Sequence, residues 1–181
     1  YVYNREEAAE VVRRNPDSFL TVDRAETTMP DEVGTYDDAV YEKAGENLRR
    51  YLEHGMMEQE ESPSFYIYEL TMNGRSQTGL VGTASVDEYD SGVIKKHELT
   101  REEKERDRIR HVDACDANTG PIFLSYRRNE DAAVIIEQQK QAEPLYDFVS
   151  EDGIGHRVWL VNDENAVAGL VKAIGQVPDL Y

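Results

Sequence analysis

The sequence predicts an α+β fold, a mixed sheet with flanking helices. Several segments carry an apolar period near 3.6 behind a recognisable N-terminal cap. Others are short, apolar and bounded by glycine-containing turns. The two kinds follow one another as α-β-α-β-β, then α-β-α-β-β again, then a last helix.

Asn4 and Glu7 make a capping pair, with Ala8, Val11 and Val12 following on one face. Residues 18–22 read as a short apolar strand. Thr35 with Asp38 opens a second helix, whose Tyr36, Ala39, Val40, Ala44, Leu48, Tyr51 and Leu52 recur up to Gly55. Residues 65–72 run into Asn73-Gly74, the strongest short hairpin signal, and 78–86 return from it. Thr100 with Glu103 opens a third helix, and 122–126 make another short apolar strand. Asn129 opens a fourth helix through Val134, Ile135 and Gln138. Residues 145–150 and 156–161 flank Glu151-Asp152-Gly153 as a second hairpin. Asp163 opens the fifth helix, with Val167, Leu170, Val171 and Ile174.

Residues 1–86 and 101–181 then read as two α+β halves joined by 87–100. The stretch from Asn15 to Thr21 resembles that from Asn118 to Ser125 in character. Two explanations stay open: a duplicated α-β-α-β-β unit sharing one sheet, or a chance recurrence of a common order within one continuous domain.

Charge narrows the function. The chain has 181 residues and a net charge of -17, from 37 acids and 20 Lys and Arg. A chain this acidic repels nucleic-acid phosphates and anionic membrane surfaces. Cys115 is the lone cysteine, which fits a reducing cytoplasm and excludes an intrachain disulfide. No apolar run approaches the ~20 residues of a transmembrane helix, and no signal peptide opens the chain. The start without methionine and the end at Leu180-Tyr181 read as those of a fragment.

The sign of the charge reverses once. Between Lys95 and His111 stand Lys95, Lys96, Arg101, Lys104, Arg106, Arg108 and Arg110 against five acids, a net of +2, while the rest of the chain carries -19. Lys95-Lys96-His97-Glu98 precedes the helix that Thr100 is expected to cap. Unpaired N–H groups and a partial positive charge at that end would suit a phosphate or carboxylate. Lys104, Asp107, Arg108, His111 and Cys115 share one helical face, and Asp107 is spaced to orient the His111 imidazole and raise its pKa. The plainer reading is a solvated face laced with i,i+4 pairs. Against it, the helix has few core residues, chiefly Ile109 and Val112, and His97-Glu98 sets an acid–base pair beside the island.

Elsewhere the signals are weaker. His54 suits a helix C-terminus, and His156-Arg157 reads as a surface pair at the start of a strand. Histidine and cysteine spacing does not match zinc. The stretch from Gly74 to Gly79 lacks the ending of a Walker loop, and Phe65, Tyr66 and Tyr68 are expected to pack a sheet.

Several phrases carry a family likeness: Pro63-Ser64-Phe65-Tyr66-Ile67-Tyr68-Glu69, Arg75-Ser76-Gln77-Thr78-Gly79-Leu80-Val81-Gly82, Lys95-Lys96-His97-Glu98-Leu99-Thr100, Arg108-Ile109-Arg110-His111 and Thr119-Gly120-Pro121-Ile122-Phe123. Pro144-Leu145-Tyr146-Asp147-Phe148 and His156-Arg157-Val158-Trp159 join them. Over nearly its whole length the chain resembles domain-of-unknown-function family 1015, uncharacterised prokaryotic proteins. The resemblance implies a link to serine metabolism. It also implies a continuation into an Asp-Gly-His-His-Arg type motif, similar to that of the ParB/sulfiredoxin-like fold with its free-serine kinases. The present C-terminus falls where that motif would begin.

The expectation is therefore a phosphotransferase of serine-kinase type acting on a small anionic metabolite. Lys95, Lys96, Thr100, Lys104 and Arg108 would bind the anion. Glu98 or His111 would act as general base, with His97 and Asp107 beside them, and ATP or ADP with magnesium would serve the full-length protein. No metal site is read from these residues, and the oligomeric state is left open. The alternatives are a non-catalytic anion-sensing module and an acidic protein-interaction domain.

Overall fold

The computed structural model describes residues 3–96 and 99–181. It divides into two compact units, and each draws on two stretches of chain. The first unit is Tyr1–Gln59 with Glu98–Phe123, and the second is Glu60–His97 with Leu124–Tyr181. The units thus do not follow the halves 1–86 and 101–181.

The first unit is helical. It contains α1 (Arg5–Arg14), α2 (Leu20–Asp23), a 3-10 turn (Ala25–Thr28), α3 (Asp38–Glu53) and, in the second stretch, α5 (Glu102–Cys115); the intervening α4 (Val86–Asp90) belongs to the second unit. The Asn4–Glu7 capping box forms in full, each side chain bonding the other's backbone N–H at 2.9 Å. Val22, Ala25, Val40, Ala44, Leu48, Tyr51 and Cys115 make the core. At the crossing of α3 and α5, Gly45 lies so close that a Cβ built on it would stand 2.3 Å from the Ala114 carbonyl oxygen.

The strand expected over 18–22 is a helical turn instead. A short apolar run has no period long enough to separate strand from buried helix, and the side chains around it decide. Tyr51 donates its hydroxyl to the Ser18 carbonyl at 2.8 Å, Thr21 donates to the Tyr51 oxygen at 2.7 Å, and Asn47 donates to the Thr21 carbonyl at 2.7 Å. Thr35 does not cap α3: Asp37 holds the N-cap position.

The second unit contains β1 (Phe65–Met72), β2 (Arg75–Val81), α4, α6 (Glu130–Gln139), β3 (Tyr146–Val149), β4 (Gly155–Val161) and α7 (Glu164–Ile174). Its four strands run in the order β2-β1-β4-β3, antiparallel throughout rather than mixed. Asn73 and Gly74 both take positive φ, 52° and 75°, as the two-residue hairpin requires. Asn129 and Asp163 cap α6 and α7 by accepting from Ala132 and Ala166 N–H. The strand expected over 122–126 does not form. There Ser125 exchanges backbone hydrogen bonds with Tyr181 at 2.6 and 2.9 Å. The returning strand also stops at Val81, and Val86 opens α4. With both first strands absent, the repeated α-β-α-β-β unit is not built.

One sheet face carries Phe65, Ile67, Trp159 and Val161 against Ala132, Ile136, Ala166, Leu170 and Ala173 of α6 and α7. Glu69 shares that face and is 8% exposed. Lys140 holds it at 2.7 Å, Thr78 donates to it at 3.1 Å, and the ammonium lies 5.9 Å from the Trp159 ring centroid. The Lys140 hydrogen bond holds the Glu69 carboxyl below its ordinary range, against burial and with help from Thr78. Burial pulls the Lys140 ammonium down, but hydrogen bonds to Glu69 and Glu137 outweigh it, and its pKa is raised. The strand register places Tyr66, Tyr68, Leu70, Val158, His156, Tyr146 and Phe148 on the opposite face.

Candidate functional site

The cationic island divides between the units. Lys95 and Lys96 belong to the second unit, while Thr100, Lys104, Asp107, Arg108 and His111 belong to the first. His97 and Glu98 lie outside the described residues.

In the second unit, the strand-like segment at Ile94 bridges Leu180, and Lys95 donates its N–H to the Leu180 carbonyl at 2.7 Å. The Lys95 ammonium meets Asp179 at 3.0 Å. Lys96 lies 4.8 Å from the centroid of the Tyr89 ring, a cation–π contact.

In the first unit, α5 begins one residue later than expected. Arg101 is the N-cap, no side chain caps the helix, and Thr100 is exposed. The shared face of Lys104, Asp107, Arg108, His111 and Cys115 changes character along the helix, because α5 leans on α3 near Gly45. Arg108 is 63% exposed, Asp107 is 16% exposed, and His111 and Cys115 are buried. His111, one of the two expected general bases, is 7% exposed. Its Nε2 meets the Val22 carbonyl at 3.1 Å. A carbonyl only accepts, which assigns the ring proton to Nε2 and leaves Nδ1 facing the Cys115 sulfur at 3.8 Å. Burial, with Asp23 adding to it and Arg49 opposing, pushes the Cys115 thiol up. Asp107 does not orient this ring: it accepts the Tyr41 hydroxyl at 2.8 Å.

The outer turns of α5 and the start of α3 form an open groove of about 380 Å³, lined by Tyr36, Tyr41, Glu102, Glu103, Arg106, Asp107 and Arg110. Two phenols organise it. Lys104 donates to the Tyr36 hydroxyl at 2.6 Å, which raises the Lys104 pKa and keeps the ammonium charged. Burial first, and then the hydrogen bond to Asp107, raise the Tyr41 pKa far above its ordinary value, so the phenol stays a donor. The Arg110 guanidinium lies 4.1 Å from the Tyr41 ring centroid, donates to the Tyr36 carbonyl at 3.0 Å and pairs with Asp38. Arg106 is taken up by Glu102 at 2.6 Å. Arg108 approaches the far oxygen of Asp107 at 3.6 Å.

Sequence reasoning missed Tyr36, Tyr41 and Arg110 as a group. Tyr36 lies just before α3, where the expected helix gave it the spacing of a core residue, and its pairing with α5 spans a gap of 68 residues that no local pattern encodes.

Among the described residues, no group of three or more His, Cys, Asp or Glu could hold a metal ion. Among them, too, no helix is long and apolar enough to cross a membrane. No curated protein and no solved structure matches the chain. The family model described as "Protein of unknown function (DUF1015)" matches residues 1–181. The match spans every phrase that carried the likeness, and the chain belongs to the DUF1015 family.

Proposed function

We propose that the protein binds a small anionic metabolite on α5 and acts on it as a phosphotransferase of serine-kinase type. The supporting observation is a concave, tyrosine-walled groove whose Tyr36 hydroxyl is bonded by the Lys104 ammonium, itself outside the groove lining, in a chain of net charge -17. An ammonium has three donors, and two remain for a ligand oxygen. Arg108, held only loosely by Asp107, is the second cation for a phosphate. Thr100, in the same unit, is proposed as a further anion contact, and Lys95 and Lys96 as anion contacts of the second unit by themselves. Asp107 has one oxygen engaged by Tyr41, and the other, which Arg108 approaches at 3.6 Å, is proposed to meet a substrate hydroxyl or ammonium once Arg108 turns to the phosphate. ATP or ADP with magnesium would supply the phosphoryl group in the full-length protein, working mainly through positioning and charge neutralisation. His97 and Glu98 are the proposed acid–base pair, in a cytoplasmic setting.

Calorimetry with serine, phosphoserine, ADP and Mg-ATP tests this. Phosphoserine is expected to bind, and Lys104→Ala or Arg108→Ala to weaken it about tenfold, as for a charge-assisted hydrogen bond. Absence of heat with all four ligands would overturn the proposal.

A second reading, a non-catalytic sensing module, is favoured by one observation. Asp107 and His111 already hold hydrogen bonds to Tyr41 and Val22. Glu98→Ala in the full-length protein separates the two readings: an enzyme loses turnover and retains ligand, whereas a sensor has no turnover to lose.

A further inference from the structure

On the sheet face away from α6 and α7, Tyr68, His156 and Ser150 form a hydrogen-bonded series. The Tyr68 hydroxyl meets His156 Nδ1 at 2.7 Å, and Ser150 Oγ meets His156 Nε2 at 3.0 Å. Two aromatic rings also flank the imidazole. Phe148 stacks on the imidazole at 4.8 Å with an interplanar angle of 8°, and Tyr68 lies at 6.0 Å and 22°. We propose that Ser150 is a nucleophile with His156 as its base and Tyr68 as the residue that positions the base, acting on small apolar carboxylic esters.

The geometry is that of an activated hydroxyl: nucleophile and base within hydrogen-bond reach, and the base oriented by a third group. The strands supply the rigidity. Tyr68 lies on β1 and His156 on β4, while Ser150 follows β3 at the hairpin turn. A phenol oxygen can accept as well as donate. When Nδ1–H donates to Tyr68, Nε2 is free to accept the Ser150 proton. The Ser150 hydroxyl also reaches the Ile154 carbonyl at 3.0 Å and the Asp152 carboxylate. These are resting acceptors from which it rotates toward Nε2. The surroundings set the substrate class. Phe148 and Tyr146 are 53% and 57% exposed, and Leu70 is 37% exposed opposite His156. An acyl chain or aryl leaving group has apolar surface to lie on there.

In the first step the Ser150 oxygen bonds to the carbonyl carbon and its proton passes to Nε2. The bond to the leaving alcohol then breaks, and the alcohol takes that proton. Water repeats the sequence on the acyl-serine, releasing the acid and restoring Ser150.

An alkyl fluorophosphonate, with tryptic mass spectrometry of the whole chain, tests the nucleophile. The expected adduct is on Ser150; it is lost in Ser150→Ala and forms at least about 100-fold more slowly in His156→Gln, the scale of a lost general base. A folded wild-type protein without that adduct overturns the proposal, as does an unchanged rate in His156→Gln. With p-nitrophenyl acetate, Tyr68→Phe is expected to lower kcat and leave KM unchanged; a change in KM alone would remove Tyr68 from the positioning role.

Discussion

Replacing Lys140 with alanine is expected to destabilise the second unit by about 3 kcal/mol, the scale of removing one partner from a buried ion pair. The two side chains are 16% and 10% exposed, so water replaces the lost ammonium less well than it would at the surface. Thr78 would still donate to Glu69, at 3.1 Å in the wild type, but it carries no charge. Urea denaturation at neutral pH measures the loss. The pH dependence provides a second check. A carboxyl held below its ordinary value of 4.5 adds stability above that pH, and this is lost as pH falls through the lower folded value. In Lys140→Ala the same carboxyl is buried without its cation, which favours the protonated form. The gap between wild type and variant is therefore expected to narrow as pH falls below 4.5. The double variant Glu69→Leu, Lys140→Met is expected to recover most of the loss, because an apolar pair needs no compensating charge. A Lys140→Ala variant as stable as wild type would show that the pair contributes nothing.

Gly45→Ala is expected to lower the stability of the first unit by about 2 kcal/mol, as for overpacking at a tight contact. The sign is the informative part. In an exposed helix interior this substitution gains up to about 1 kcal/mol. Here the added carbon would stand 2.3 Å from the Ala114 backbone oxygen. A backbone atom cannot swing aside as a side chain can, so α3 and α5 would have to part. Tyr36 and Tyr41 on the α3 side would then withdraw from Lys104 and Asp107. Phosphoserine affinity should fall along with stability in this variant, whereas Lys140→Ala should leave affinity unchanged. Equal stability for Gly45→Ala would mean that the helices have room to spare.

Elements whose signal lies within a few residues were legible in the sequence. The Asn4–Glu7 box, the Asn73-Gly74 turn and the caps at Asn129 and Asp163 each depend on contacts no more than three residues apart. The run at 18–22 was misread because its helical form is fixed by Asn47 and Tyr51, far along the chain. The pairing of β1 with β4 likewise joins Phe65 to Val161, and no local pattern announces it. The site was legible as an island of charge but not as a groove. Helical spacing correctly put Lys104, Asp107, Arg108 and His111 on one face. Only the lean of α5 on α3 shows that this face enters the core at His111.

Because each unit is assembled from two separated stretches, neither can close while its first stretch is being synthesised. Leaving the ribosome, α3 must wait for α5, and the β1–β2 hairpin must wait for β4. In that interval the hairpin shows its tyrosines and an unpaired edge, a template for unwanted strand pairing. The surplus of negative charge works against such encounters, since like-charged nascent chains repel one another. On this view the acidity of the chain protects it in the interval before its two units close.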